Sequence, residues 1–277
     1  MKPFVLLLVL SSVCIAQTQD TLPGPWTHGL ATGLTATQVS FTDWAAGGQN
    51  AFSWTTTLDG RHNWTSDPLE WRNTYKLAYG QAEIGGQGTR KTDDKIDLES
   101  IVEYNMGRIV DPYFAVTFKS QFAKGYIYRT IGDSLVSDLF DPAYITQSAG
   151  IGYKFIPEIR TRFGAALREV VTSKYTQYAD DPTTAEIEKT RVEGGLESVT
   201  NVEWKVDENV LFTSKLELFS AFNQMDMIIV RNDNTLAAKI NKYLSVNLNV
   251  VLINDHVISP RTQVKQTIAF GFSYVLI

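Results

Sequence analysis

From His28 onward the chain alternates between large apolar residues and small or charged ones. Between Val264 and Ile277 one face carries Val264, Gln266, Ile268, Phe270, Phe272, Tyr274 and Leu276, and the other carries Lys265, Thr267, Ala269, Gly271, Ser273, Val275 and Ile277. A period of two is the signature of a strand. Twelve such segments follow one another. In the third, Trp71, Asn73, Tyr75, Leu77 and Tyr79 oppose Arg72, Thr74, Lys76 and Ala78. In the fifth, Phe114, Val116, Phe118 and Phe122 oppose Thr117, Lys119 and Gln121; in the ninth, Val210, Phe212, Leu216, Leu218 and Phe222 oppose Thr213, Lys215 and Glu217. The first segment, His28 to Phe41, changes phase near Thr37-Gln38, which predicts a β-bulge.

The links between segments alternate in length. Short ones fall around Ser66-Asp67-Pro68, Gly107 to Pro112, Ile156-Pro157, Asp207-Glu208-Asn209 and Asn241-Lys242. Longer ones fall at Asp43 to Asn50, Gly80 to Asp94, Ala123 to Ala143 and Ser173 to Thr190. The ninth link, Asn223 to Asp226, is short, and the eleventh, Asn254 to Thr262, is middling. Short turns at one end and long loops at the other, on an even number of antiparallel strands, predict an all-β transmembrane barrel of about 12 strands with both termini periplasmic. Trp64, Trp71 and Trp204 lie beside short links, where an interfacial aromatic girdle belongs. A soluble β-sandwich would use strands of about five or six residues.

Composition fits this picture. Apolar residues make up 44% of 277 and the mean hydropathy is −0.11, as expected when lipid-facing and lumen-facing positions alternate. The length suits one large domain or two small ones. Residues 1–16 read as a secretory signal peptide: Lys2, the apolar run Phe4 to Leu10, and Cys14-Ile15-Ala16 as a small-residue cleavage site. Removing them takes away one positive charge, so the formal charge of −5 becomes −6, and takes away Cys14, the single cysteine. Residues 17–27 form a periplasmic lead-in, and 28–277 the barrel. The acidic balance, with no basic patch, argues against a nucleic-acid partner. Export without disulfides or membrane-spanning helices leaves a periplasmic protein, a secreted protein or an outer-membrane barrel, and the strand pattern favours the barrel in the bacterial outer membrane.

Two stretches are distinctive. One is Phe41-Thr-Asp-Trp44-Ala-Ala-Gly47-Gly48-Gln49-Asn50; the other is Arg90-Lys91-Thr92-Asp93-Asp94-Lys95-Ile96 followed by Lys119-Ser-Gln121-Phe122. Together they resemble a family of uncharacterised outer-membrane barrel proteins typical of Bacteroidetes-type bacteria. The resemblance covers most of the mature chain and implies an outer-membrane location without naming an activity. The C-terminus resembles the signal read by the barrel-assembly machinery, with Gly271, Phe272, Tyr274 and Leu276 at its core, although it ends on Ile277 instead of an aromatic residue.

Candidate chemistry is sparse. The histidines are His28, His62 and His256. Only His256 falls in a predicted outer loop, near Asp255 and Ser259, as a lipid-modifying enzyme would require; a solvated loop histidine is the plainer reading, and no catalytic residue is assigned. The inward phase is charged. Arg72 and Lys76 neighbour Asp97, Glu99 and Glu103 on the next segment, and Arg160, Arg162 and Arg168 neighbour Glu193, Glu197 and Glu203. Opposite charges on adjacent strands support pairing. They would either line a narrow pore for polar solutes or fill the barrel and plug it. Asp93-Asp94 and Asp180-Asp181 lack the spacing of a calcium loop, and no metal or cofactor is expected. The loop holding Trp44, Gly47 and Gly48 is either a tight turn or a docking site for another envelope protein. Lipid, lipopolysaccharide and the assembly machinery are the expected partners. The function classes left open are a channel, a structural or scaffold barrel, and, least supported, a lipid enzyme. Deleting Phe272 to Ile277 is expected to abolish membrane insertion; recovery of the truncated chain as a folded membrane protein would show that these residues are no assembly signal.

Overall fold

The computed structural model describes residues 24–40, 49–107, 109–129, 132–241, 243–256 and 259–275. In chain order the strands are β1 (Trp26–Val39), β2 (Ala51–Ser66), β3 (Leu69–Ile84), β4 (Thr89–Tyr104), β5 (Val110–Ser120), β6 (Gly125–Ile127), β7 (Ser134–Ser137), β8 (Ala143–Ile156), β9 (Ile159–Val171), β10 (Thr190–Asp207), β11 (Val210–Ala221), β12 (Ile228–Lys239), β13 (Leu244–Asn254) and β14 (Gln263–Val275). Twelve of them close into one antiparallel barrel, while β6 and β7 form a separate hairpin within the long β5–β8 loop. Closure is made by β14, which pairs with β13 on one side and with β1 on the other, Ala31 opposite Val275 and Thr35 opposite Gly271. The start of β1 and the end of β14 both lie at the short-turn end, since Trp26 pairs with Trp64 next to the β2–β3 turn.

The expected twelve strands are all present, with local departures. β1 begins at Trp26, ahead of His28. The bulge expected near Thr37-Gln38 is absent: β1 and β2 stay in register from Trp26↔Trp64 to Val39↔Ala51. A register shift occurs instead between Gly80 and Gln81, where β3 meets β4. The expected long link Gly80 to Asp94 shrinks to residues 85–88, because both flanking strands continue almost to the tip. Gly85, Gly86 and Gly88 there have φ of 59°, 71° and 83°, a region open to glycine at no steric cost. Polar glycine-rich sequence reads as loop, yet these three residues make the reversal that lets the strands run on.

The barrel is inside-out relative to a water-soluble protein. Phe163, Phe270 and Ile268 are 50%, 68% and 68% exposed on the outer wall, while Glu99, Glu197 and Arg162 face inward at 8%, 7% and 4%. The phase of the sequence alternation is therefore apolar outward, as a wall in contact with hydrocarbon requires. No helix among the described residues is long and apolar enough to cross a membrane; the strands make the crossing. Trp26, Trp71 and Trp204 are 38%, 40% and 56% exposed near the short-turn end, where indoles suit the membrane interface. Trp26 packs on Trp71 at 5.8 Å between ring centroids. Replacing an outward residue in mid-wall by a cation, Phe163→Arg, is expected to destabilise the barrel by about 2–4 kcal/mol in reversible unfolding from lipid bilayers; an unchanged midpoint would mean that this wall does not meet hydrocarbon.

Candidate functional site

Among the described residues, charged side chains gather in the lumen. Inward positions on most of the barrel strands, though not on β1 or β13, deliver charged side chains in three tiers. At the short-turn end, Arg72 on β3 holds Glu103 at 2.7 Å and Glu70 at 2.9 Å. Lys154 on β8 and Arg160 on β9 reach Glu70 at 3.4 and 3.5 Å. Arg61 on β2 faces Glu203 on β10 at 3.9 Å.

The middle tier crosses the barrel. Glu99 on β4 accepts from Arg162 of β9 at 2.8 Å and from Lys215 of β11 at 2.9 Å. Lys215 also lies 3.0 Å from Glu217 on its own strand, and Glu217 pairs with Lys119 of β5. Lys95 on β4 reaches Asp233 on β12 at 2.8 Å. Strands β5, β8, β9 and β10 stand between β4 and β11 around the wall, so these contacts span the interior. Apolar side chains pack beside them: Ile101, Tyr113 and Ala115 on one side, Ala166, Phe219 and Ala221 on another. Gly164 makes room there, since a Cβ at that position would stand 2.8 Å from the Tyr113 hydroxyl. The third tier lies toward the long loops. Arg168 holds Asp255 at 2.9 Å and Glu193 at 3.4 Å, and Lys265 holds Asp93 at 2.6 Å.

Below the waist a vestibule of about 760 Å³ remains. Arg61, Lys154, Arg160 and Glu203 line its mouth and Glu99, Lys215 and Glu217 its floor. Its lining carries both signs, so it is polar without being strongly selective for anions or cations.

The pairing differs from the neighbour-strand scheme expected from sequence. Arg72–Glu103, Arg162–Glu197 at 3.7 Å and Arg168–Glu193 run along the wall as expected. Lys76 stands opposite Asp97 in the register of β3 and β4. Glu99, Arg160 and Glu203 bridge to other strands instead, because barrel curvature brings distant inward positions together. Lys95, Lys119, Lys215, Glu217 and Asp233 complete the network, and alternation marks such positions as inward without marking their partners. Sequence phase gives no distance across a lumen.

Other expected sites take structural roles or fall outside the described residues. Trp44, Gly47, Gly48, Leu276 and the signal segment 1–16 lie outside them. Gly271 and Phe272 belong to β14 and pair with Thr35 and Leu34 of β1; the backbone of Tyr274 pairs with Thr32. His28 and His62 meet on the outer wall, Nδ1 to Nδ1 at 2.6 Å, against Trp26. Asp255 turns into the lumen toward Arg168, and the Ser259 hydroxyl donates to the Arg261 carbonyl at 3.1 Å, so the neighbours of His256 are engaged elsewhere. Asp94 accepts the backbone N–H groups of Phe122 and Ala123 at 2.7 and 2.9 Å, pinning the start of the β5–β8 loop. In the β9–β10 loop, the backbone N–H and hydroxyl of Thr183 hold the Asp181 carboxyl below the usual range. No group of three or more metal-ligating side chains gathers among the described residues.

Residues 36–126 match a family described as a protein of unknown function, DUF3078, and residues 138–275 match another described as a protein of unknown function, DUF481. No curated protein sequence matches the chain. Among solved structures, the translocator domain of the autotransporter NalP from Neisseria meningitidis is similar at 11% identity and a TM-score of 0.40, over 92% of this chain and 90% of that one. An outer-membrane channel from Pseudomonas putida F1 is similar at 12% identity and a TM-score of 0.41, over 94% and 98%. The outer-membrane channel DcaP of Acinetobacter baumannii is similar at 7% identity and a TM-score of 0.35, over 90% and 96%.

Glu99 is the hinge of the middle tier. Removing one partner of a buried ion pair leaves the other charge uncompensated, so Glu99→Gln is expected to cost about 3 kcal/mol of barrel stability, read as a lower midpoint of heat-modifiable gel migration. A wild-type midpoint would mean that Arg162 and Lys215 are hydrated independently of Glu99.

Proposed function

We propose that the chain is a bacterial outer-membrane β-barrel forming a narrow conduit for small polar solutes, closed at its waist in this state, with the short-turn end in the periplasm. The observation that carries this reading is the nature of the closure. Among the described residues no chain segment fills the waist; charged side chains from opposite walls close it in pairs, with apolar packing beside them. Side chains that part can be hydrated separately, so such a closure can open, whereas a wholly apolar plug would resist water. A vestibule of about 760 Å³ leads up to it. Carboxylates and cations facing one another across a narrow lumen make a transverse field suited to dipolar or zwitterionic solutes. Lipopolysaccharide around the outer rim, the assembly machinery acting on the β14 signal, and a Bacteroidetes-type source complete the reading.

A second reading is a non-conducting scaffold for an envelope assembly. One feature favours it: strand β6 and the residue after it present Tyr126, Ile127 and Tyr128, 37–44% exposed, at the loop end. Planar-bilayer recording separates the two. Wild-type protein is expected to give brief, small openings. Glu99→Gln combined with Glu217→Gln leaves Lys119, Lys215 and Arg162 repelling one another, and is expected to give several-fold longer openings that favour anions. Silence from both proteins, each shown folded by heat-modifiable migration, would refute the conduit and leave the scaffold.

A further inference from the structure

The outer wall breaks its own apolar rule on β12. The outward positions there are Ile228, Val230, Asn232, Asn234, Leu236 and Ala238. Their direction is set by their neighbours: Arg231 and Asp233 reach into the lumen to Glu217 and Lys95, while Ile228 and Leu236 are 50% and 39% exposed. Two carboxamides therefore occupy the middle of a wall that is apolar above and below them.

Several polar side chains elsewhere on the outer wall are bonded within it. The Thr32 hydroxyl donates to the Thr57 carbonyl at 3.0 Å, the Asn73 amide to the His62 carbonyl at 3.0 Å, and Ser100 accepts the Trp71 indole N–H at 2.9 Å. On β12 that provision is weak for Asn232 and missing for Asn234. Asn232 accepts one long contact, 3.3 Å, from the Ser214 hydroxyl of β11, and the Asn234 carboxamide meets no hydrogen-bonding partner among the described residues. Hydrocarbon can supply none either, and leaving such groups unpaired there is costly.

We propose that the β11–β12 wall docks against the same wall of a second copy of this chain, with Asn232 and Asn234 pairing across the junction. A carboxamide is both donor and acceptor, so it can satisfy an identical group related by a two-fold axis. The patch is uncharged, so bringing two copies together incurs no like-charge repulsion. Polar side chains that hydrogen-bond across the junction, flanked by Leu216 and Leu236 for packing, are what protein contacts inside membranes favour. This inference depends on the wall being lipid-facing and is independent of whether the lumen conducts.

Cysteine cross-linking in native membranes tests it, since the single cysteine, Cys14, lies in the predicted signal peptide. Under mild oxidation Asn234→Cys is expected to yield a disulfide-linked species of twice the chain mass. Leu98→Cys, on the opposite wall and 38% exposed, is expected to remain a monomer. Asn232→Leu with Asn234→Leu is expected to reduce the protein mass of the detergent particle from two chains to one while heat-modifiable migration is kept. An Asn234→Cys protein that stays monomeric, or cross-links to a different protein, overturns the proposal. So does a wild-type particle containing one chain, with the leucine variant merely more stable. If the leucine variant does not assemble, the cross-link at position 234 decides alone.

Discussion

Everything in this molecule depends on pairing β14 with β1. In hydrocarbon an open strand edge leaves a row of N–H and C=O groups with nothing to bond, so the sheet is tolerable only when closed. The two strands that meet are the first and last described, and the pairing from Ala31↔Val275 to Thr35↔Gly271 joins residues at opposite ends of the chain. The outer wall can then be apolar without exposing backbone, and the lumen can be charged without exposing charge to lipid.

Closure also concentrates the charges. Inward side chains that would be solvated on a flat sheet converge on one another once the sheet curls. Glu99, 8% exposed, is tolerable because Arg162 and Lys215 both reach it. Such pairs contribute little net stability against apolar packing of the same volume, so a barrel kept only for strength gains nothing by them. What they add is a closure with separable parts. On the outer wall, Asn73 and Ser100 are bonded within the wall, whereas the Asn234 carboxamide of β12 is left for the proposed second copy to satisfy.

Much of this was legible in the sequence. The alternation predicted which side chains point outward: Phe163, Ile268, Phe270 and Phe272 are all exposed. The short links located one end of the barrel and the tryptophans near it. Asn232 and Asn234 share the outward phase of Ile228, Val230 and Leu236, so alternation alone places the two amides on the outer wall without showing what they meet. The misread places have local causes. Gly85 to Gly88 reads as the middle of a long loop when it is a turn of three left-handed glycines. The apparent change of phase near Thr37-Gln38 has no bulge behind it, since β1 and β2 stay paired through Val39.

The sequence by itself determined the number of strands, their phase and the sign of each lumen charge, because alternation with a period of two is a local property that each segment records on its own. Only the tertiary structure decided which charges meet. Lys215 reaches Glu99, Arg160 turns to Glu70, and Arg61 faces Glu203. These partners follow from the stagger of the strands around the barrel and from its curvature, which are set by all twelve pairings at once and written in none of them singly.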